Sequence, residues 1–359
     1  MDASGLRTEF PVLERLAYLN AGTDGPLPSR GVSAAKAELD RELSDGRTQT
    51  HFERRTELNN RLRALYARAL GCGAQDVALT TCTTEGMAQV ISGLGLGRGD
   101  EIVTSDEEHP GLLGALGAAR ELYGVSIREV PIGDLAAAAG PATRLVSCSH
   151  VGWVSGLLAP TELAELDIPV LLDGAQGVGA IDVDVLALGC DAYAGAGQKW
   201  MCGPDGTGML YISPALRERL NVTRRAYGNL AEPNDGLDAE VQPDARRFDA
   251  PSLSAEAIAC SVASAELLFE AGFDAVHERA IELAATLVEM LRESGREVAP
   301  RGASTLVSFS SGDPVAERAT LAEKGVIVRN IPGHDWLRAS VGAWNDHDDL
   351  DRLLGALGV

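Results

Sequence analysis

A lysine and an aspartate, each following an apolar run, are the residues of this sequence with the clearest chemical potential. Lys199 lies in the glycine-rich segment Ala194-Gly-Ala-Gly-Gln-Lys-Trp-Met-Cys-Gly-Pro-Asp-Gly206. Asp173 follows the apolar run that starts at Ile168. A lysine amine forms a Schiff base with a carbonyl group, and a carboxylate at a strand end can keep a pyridine nitrogen protonated. Together they match what pyridoxal 5'-phosphate (PLP) chemistry requires.

Lysine is rare in this chain, so its presence in a glycine-rich turn is informative. The sequence holds 31 basic residues, of which only Lys36, Lys199 and Lys324 are lysines. A basic residue needed only for solubility would be expected to be an arginine, as it is nearly everywhere else. The glycines around Lys199 also let a ligand approach the backbone closely.

Length and charge narrow the class of protein. With 359 residues, the chain exceeds what one hydrophobic core usually organises, so we expect two domains. The net charge of -21 argues against nucleic acid or anionic membranes as partners. The sequence has no apolar run of about 18 residues or more, and its N-terminus lacks the hydrophobic region of a signal peptide. These features predict a cytoplasmic protein.

The cysteines show no arrangement that is typical of a metal site or a redox pair. They are Cys72, Cys82, Cys148, Cys190, Cys202 and Cys260. Because no CxxC pair and no metal-ligand spacing occurs, we expect free thiols and no bound metal. No cysteine follows Cys260 in the chain.

Strand-like apolar runs recur along the first part of the chain and alternate with helical patterns. The strand-like runs cover 77–80, 101–105, 125–130, 144–148, 168–172, 191–194 and 208–212. Helical spacing of apolar residues covers 57–70, 84–96, 110–123 and 161–166. Such alternation predicts an α/β fold with a mostly parallel sheet, covered by helices on both faces. Ligands of such folds bind beyond the carboxyl ends of the strands.

The end of the chain predicts a smaller α+β unit. Residues 222–254 are polar and rich in Pro, Asn and Asp. The patterns that follow are helices at 255–271, 274–294, 315–323 and 346–357, with short strands at 304–309 and 326–330. We therefore predict a large domain of residues 18–254 and a small domain of residues 1–17 and 255–359.

Seven motifs occur in the order typical of class V aminotransferase-like enzymes, which the chain resembles from about residue 18 to its C-terminus. The motifs are Tyr18-Leu-Asn-Ala-Gly-Thr-Asp-Gly-Pro-Leu-Pro28, Thr83-Thr84, Glu108-His-Pro110, Asp173-Gly-Ala-Gln176, Gly197-Gln-Lys-Trp200, Gly203-Pro-Asp-Gly-Thr-Gly208 and Leu337-Arg-Ala-Ser340. This group of fold-type I PLP enzymes includes cysteine desulfurases, cystine C-S lyases and isopenicillin N epimerase-like proteins. Among them, the chain looks most like the cystine C-S lyases.

The resemblance implies roles for residues around the cofactor ring. Lys199 would form the Schiff base and then remove the proton from the substrate's Cα, helped by a pKa that burial lowers. Asp173 would pair with the pyridine nitrogen, and Gln176 would donate to the phenolate oxygen. His109 would stack on the ring and shuttle protons, which suits an imidazole that titrates near neutrality. Lys199, His109 and Asp173 are thus the expected catalytic residues.

Phosphate binding is expected at the start of a helix. Thr83 and Thr84 open the helical pattern after the first predicted strand, where free N–H groups and hydroxyls attract an anion or cap the helix. The family also uses a serine and a histidine just before the lysine, whereas this chain has Ala196 and Gln198. Gln198 is expected to replace that histidine. Ser252 aligns with a hydroxyl residue that reaches the phosphate of the partner subunit, which implies a homodimer with shared active sites.

The same resemblance implies that Arg338 and Trp153 bind the substrate. Arg338 matches the arginine that holds the substrate's α-carboxylate with two parallel hydrogen bonds. Trp153 stands where other members usually have an asparagine, which favours a larger pocket. Desulfurases also carry a reactive cysteine on a loop shortly before this arginine, and residues 328–336 contain none.

The reaction expected from these features is α,β-elimination at the C–S bond of cystine, cysteine or an S-substituted cysteine. Its products are pyruvate, ammonia and a thiol or persulfide. Epimerisation or transamination of another amino acid is the alternative, and a protein of this fold that binds without catalysis is a third reading. The expected partners are a small amino acid and a second copy of the chain.

Overall fold

The computed structural model describes residues 2–358. The α-helices of this part of the chain are Ser29–Asp45 (α1), Gln49–Ala69 (α2), Thr83–Gly93 (α3), Pro110–Tyr123 (α4), Leu135–Ala138 (α5), Pro214–Arg219 (α6), Ala255–Glu270 (α7), Phe273–Glu293 (α8), Pro314–Glu323 (α9) and His347–Leu357 (α10). The strands are Ala17–Tyr18 (β1), Val77–Thr80 (β2), Glu101–Ser105 (β3), Ser126–Val130 (β4), Thr143–Ser149 (β5), Val170–Asp173 (β6), Ala192–Ala196 (β7), Gly208–Ile212 (β8), Leu306–Ser310 (β9), Val326–Ile327 (β10), Arg329–Asn330 (β11) and Trp336–Ser340 (β12).

A seven-stranded sheet organises the first two thirds of the chain. Its strand order is β2-β8-β7-β6-β5-β3-β4. All of these strands share one direction except β8, which is antiparallel to both of its neighbours. The central strands β6 and β7 are buried along their whole length, as continuous apolar runs in a parallel sheet require. The prediction of an α/β fold with a mostly parallel sheet is confirmed.

A second hydrophobic core lies beside a small antiparallel sheet near the end of the chain. The strand order of this sheet is β11-β12-β9. Helices α8, α9 and α10 contribute Leu287, Leu321 and Leu353 to the core. The short strand β1 pairs in parallel with β10 and so ties an early part of the chain to this unit.

Helix α7 packs in the hydrophobic core beside the large sheet, which is the first core, although the small unit begins soon after it in the chain. Its Ile258 belongs to the same buried cluster as Leu62 of α2 and Val77 of β2. Helix α8, which follows immediately, contributes to both cores, since its Ala280 belongs to the first and its Leu287 to the second. The domain boundary drawn at residue 254 stays a prediction.

Several elements differ from the sequence-based prediction because their burial does not follow a simple apolar pattern. Helix α1 is absent from that prediction, and its fully buried residues are Gly31 and Glu38, which leave no apolar stripe to detect. Strand β12 is also absent from it, since the buried Arg338 interrupts its apolar residues. The predicted helix at 161–166 is a short 3-10 helix, Thr161–Glu165. Among residues 2–358, no helix combines the length and apolarity that a membrane crossing demands.

The segment after β1 packs directly against the loop that carries Lys199. The backbone N–H of Gly25 donates to the carbonyl oxygen of Gln198 at 2.8 Å. A Cβ atom added at Gly25 would lie 1.9 Å from the carbonyl oxygen of Lys199. Only glycine permits this approach, because the atom it would meet is backbone rather than a flexible side chain.

Replacing Gly25 with alanine should lower the free energy of unfolding by about 1–3 kcal/mol, because the added methyl group overpacks a rigid contact. Urea denaturation measures this difference. Gly114→Ala is the matched control, since position 114 lies in α4 with open space around it. The control should leave stability unchanged or raise it by about 0.5–1 kcal/mol. Equal losses in both variants would contradict the tight contact.

Candidate active site

Asp173 is buried where β6 ends, at the carboxyl edge of the parallel sheet. Its Oδ1 accepts a hydrogen bond from Ala175 N at 2.9 Å. Burial raises the pKa of Asp173, and the positive charge of Lys199 opposes this rise. A buried carboxylate with remaining lone pairs suits a cationic partner such as a protonated ring nitrogen.

Lys199 follows the neighbouring strand β7, so the lysine and Asp173 lie beyond adjacent strand ends. Burial lowers the pKa of Lys199 to about 8, even though Asp173 raises it. Repulsion from Arg338 and Arg329 adds to the lowering. About a tenth of such an amine is unprotonated at pH 7, which gives it the reactivity of a nucleophile and a base.

Gln176 is fixed by two hydrogen bonds of its side chain. Nε2 donates to Gly22 O at 2.7 Å, and Oε1 accepts from Trp200 Nε1 at 3.0 Å. A Cβ atom added at Gly22 would lie 2.8 Å from Gln176 Oε1 and 3.1 Å from Arg338 Nη2. The amide thus connects the segment after β1 with the lysine loop. The second hydrogen of Nε2 is free for the predicted hydrogen bond to the phenolate oxygen of the cofactor.

His109 precedes helix α4, and its ring contacts Trp153. Nδ1 accepts from Gly111 N at 2.9 Å, which leaves the hydrogen of the neutral ring on Nε2. The two rings meet edge-on with their centroids 5.3 Å apart. Burial, followed by the charges of Lys199 and Arg329, lowers the pKa of His109 to about 4. The ring is therefore neutral at pH 7, in contrast to the titration near neutrality expected from the sequence.

Helix α3 begins at Thr83 without a side-chain cap, because Cys82 makes no capping hydrogen bond. The Thr83 hydroxyl is buried and has no hydrogen-bond partner among residues 2–358. Thr84 lies against the start of α4: a Cβ atom added at Gly111 would come 2.4 Å from Thr84 Oγ1 and 3.0 Å from His109 Nδ1. Free N–H groups and an unpaired hydroxyl can hold an anion here.

Arg338 is fully buried in the middle of β12. Its Nη1 donates to Trp153 O at 2.7 Å. Its Nε and Nη2 have no partner in the part of the chain that the structure describes. Burial and the neighbouring Arg329 lower the pKa of Arg338 to about 9, so the group is still charged at pH 7. Two unused donors on one edge of a guanidinium match the two oxygens of a carboxylate.

The remaining two expected cofactor ligands differ in their placement. Gln198 directly precedes Lys199, and its Oε1 is buried without a partner among the described residues. Ser252 is exposed and lines a separate cavity of about 680 Å³ beside Tyr227. Within one chain, the structure therefore places Ser252 apart from the other predicted site residues.

Arg329 and Asp24 belong to the site and are absent from the sequence-based prediction. The Arg329 guanidinium lies 5.7 Å from the centroid of the Trp153 ring, and its Nη1 donates to Thr23 Oγ1 at 3.3 Å. Burial raises the pKa of Asp24, and the charges of Lys199 and Arg329 oppose this rise. The sequence feature that could have indicated Asp24 is the position of its carboxylate in a glycine-flanked turn. No local signal marks Arg329.

Unpaired buried polar atoms in the family motifs fit a phosphorylated cofactor and an amino acid. Buried polar atoms normally have hydrogen-bond partners. Those that lack one here, within residues 2–358, include Thr83 Oγ1, Gln198 Oε1, Ser340 Oγ and the Nε and Nη2 atoms of Arg338. Hydroxyl and guanidinium donors suit phosphate and carboxylate oxygens, and Lys199 with Asp173 supplies the amine and the acid that PLP needs. No cluster suited to a metal ion occurs among the described residues.

Two solved structures of similar proteins span almost the whole chain. A C-DES variant with glycine covalently linked to its PLP cofactor has a TM-score of 0.92 and 26% sequence identity, and covers 98% of this chain and 98% of that chain. A complex between the cystine C-S lyase C-DES and its reaction product cysteine persulfide has a TM-score of 0.91 and 26% identity. It covers 97% of this chain and 98% of its own.

Sequence relatives fall in the same group. Isopenicillin N epimerase of Streptomyces clavuligerus is 32% identical, over 61% of this chain and 58% of the epimerase's length. Cysteine desulfurase of Serratia proteamaculans is 25% identical, over 98% of this chain and 96% of that enzyme. The family model for class-V aminotransferases matches residues 17–353. The chain therefore belongs to the class V aminotransferase family and is a PLP-dependent enzyme with the fold-type I architecture.

Proposed function

We propose that this enzyme is a C–S lyase that acts on cystine, cysteine or an S-substituted cysteine by α,β-elimination. The observation that carries the proposal is the low-pKa amine of Lys199 near the two unused donors of Arg338. The hairpin of β11 and β12, which supplies Arg338, contains no cysteine that could accept sulfur.

The residues around Lys199 would hold the cofactor and move one proton. When bound, PLP supplies a ring that accepts the electron pair left on the substrate's Cα. Asp173 would hold the ring nitrogen, His109 would cover the ring, and Thr83 would bind the phosphate. The Nζ atom of Lys199 would take the Cα proton, since its pKa of about 8 leaves part of the amine free at neutral pH.

Arg338 would orient the substrate. Its Nε and Nη2 would face the carboxylate, while the hydrogen bond of Nη1 to Trp153 O at 2.7 Å keeps the guanidinium from rotating. Fixing the α-carboxylate at two points restricts the direction of the Cα–H bond. This restriction raises the fraction of bound substrate whose Cα–H bond points at Lys199, and so favours proton removal.

The substrate's sulfur would leave without bonding to the protein. Cys202 is the cysteine nearest in sequence to Lys199, and it is fully buried. Its thiol donates to Trp200 O at 3.7 Å. Burial raises the pKa of Cys202 well above that of an ordinary thiol, so the reactive thiolate is not available.

A second guanidinium supports cystine as the preferred substrate. Cystine carries two α-carboxylates, and Arg329 and Arg338 both lie close enough to Lys199 to lower its pKa. Arg329 uses Nη1 for its hydrogen bond to Thr23 and retains other donors for a distal carboxylate. The similarity to the cystine C-S lyase C-DES supports the same choice.

Epimerisation is the second candidate, because a relative at 32% identity is an isopenicillin N epimerase. Such a reaction needs a proton donor on the face of Cα opposite Lys199, and the Nε2–H of His109 is the group available for that role. Formation of the D-isomer without pyruvate would identify epimerisation.

We also propose a cytoplasmic homodimer in which Ser252, exposed in one chain, approaches the phosphate of the partner's cofactor.

Incubation with L-cystine should consume water and yield pyruvate, ammonia and cysteine persulfide in equal amounts, because elimination breaks one C–S bond without a redox change. Chromatography and a coupled pyruvate assay measure these products. Cys202→Ser should retain the activity, as should the control Cys72→Ser at a half-buried thiol outside the site. Alanine formed from L-cysteine would indicate desulfuration and contradict the proposal.

Covalent uptake of PLP by the apoprotein should accelerate about tenfold per pH unit below pH 8 and level off above it. The neutral amine is the nucleophile, and burial sets the pKa of Lys199 at about 8. Stopped-flow absorbance measures the rate, and borohydride reduction followed by mass spectrometry locates the adduct. Lys199→Ala should give no adduct. A rate that still rises through pH 10 would show that Lys199 is not desolvated.

Arg329→Met should lower kcat/KM for cystine by about 10–100-fold and leave that for L-cysteine within about threefold, because only cystine offers a distal carboxylate. The ratio of the two constants is the informative quantity, since a general change in Lys199 reactivity affects both substrates. Arg318→Met, at an exposed position of α9, is the control. An unchanged ratio would remove Arg329 from substrate recognition.

A further inference from the structure

The turn at residues 152–157 joins the two halves of the site. Gly152 N donates to Leu157 O at 2.7 Å, and Gly156 N donates to Gly152 O at 2.9 Å, which closes the turn. Trp153 within this turn carries the indole ring that contacts His109. The turn thus lies between the α4 side of the site and the small sheet that holds Arg338.

Donors from the small sheet, and from Ser304 just before it, reach the carbonyl oxygens of this turn. They are Arg338 Nη1 to Trp153 O at 2.7 Å, Ser308 Oγ to Val154 O at 2.5 Å and Ser304 Oγ to Gly156 O at 2.9 Å. The orientation of the Arg338 guanidinium therefore depends on where the turn places one carbonyl group.

Glu107 holds the N–H groups on the opposite side of the turn. Its Oε2 accepts from Ser155 N at 2.9 Å and from Ser155 Oγ at 2.5 Å. Its backbone carbonyl accepts from Trp153 N at 3.1 Å. A Cβ atom added at Gly152 would lie 2.5 Å from Glu107 Oε2, so the carboxylate lies directly over the turn.

We propose that Glu107 is a positioning residue that fixes Arg338 for the substrate's carboxylate through the turn at 152–157. The inference rests on the proposed role of Arg338 in carboxylate binding. Without the Glu107 carboxylate, Ser155 loses its acceptor and the Trp153 carbonyl can shift away from Nη1. When a binding group is displaced by about 1 Å, its contribution to binding or rate can fall on the order of a hundredfold. Because Glu107 also lies two residues before His109, the loop that holds them positions His109 directly and Arg338 through the turn at 152–157.

The test compares L-alanine with ethylamine, which differs from it by the carboxylate alone. Both are titrated into the holoenzyme, and the change in cofactor absorbance gives the two dissociation constants. The native enzyme should prefer L-alanine, and Glu107→Ala should reduce this preference by about tenfold or more. Glu107→Gln should retain part of it, since the amide oxygen still accepts one hydrogen bond. Glu121→Ala, at an exposed position of α4, should match the native enzyme.

Gly152→Ala is an independent variant, because its methyl group would displace the Glu107 carboxylate while keeping the residue. It should reproduce the lost preference. Equal weakening of both ligands in Glu107→Ala and Gly152→Ala, or an unchanged preference, would overturn the proposal, because a merely structural role affects both ligands alike. A native enzyme without any preference for L-alanine would overturn the role of Arg338 as well. The test uses no reaction product, so it is separate from the question of elimination.

Discussion

The burial of Asp173 and Lys199 beyond neighbouring strand ends is the constraint on which the rest of the site depends. Each charge alone would be strongly disfavoured away from water, and each opposes the pKa shift that burial imposes on the other. Arg338 and Arg329 add positive charge to the same region. The protein has a net charge of -21, yet three cations interact with one another in its active site, and they favour an anionic ligand such as a phosphate or an amino acid carboxylate.

The parts of the fold that follow simple physical patterns could be predicted from the sequence. The central strands of the large sheet are buried on both faces and appear as continuous apolar runs, and β6 with its terminal Asp173 is the clearest case, whereas the edge strand β4 is largely exposed. Helix α1 could not be found in this way, because it buries Gly31 and Glu38 rather than an apolar face. Its position depends on packing against α7, which lies more than two hundred residues later in the chain.

The same distinction separates the site residues. Lys199 and Asp173 each carry a local signal, since a charged residue follows an apolar strand. The structure brings them together with Gln176, His109 and Arg338, whose roles at the site stay predictions. Glu107 and Arg329 carry no such signal, because what they do depends on contacts with Ser155, Trp153 and Thr23 from distant parts of the chain. Charged residues that act through other side chains are therefore the hardest to recognise from sequence.

The pairing of β1 with β10 has a consequence for synthesis of the protein. Strand β1 is made early, but its partner, Val326–Ile327, is made more than three hundred residues later. Asn20, which forms a bridge with Ser340, must wait even longer. The large sheet has no such dependence, since its strands end at Ile212. The nascent chain can therefore build the sheet before β10 and β12 have been made, and the active site is completed only after these two strands have joined it.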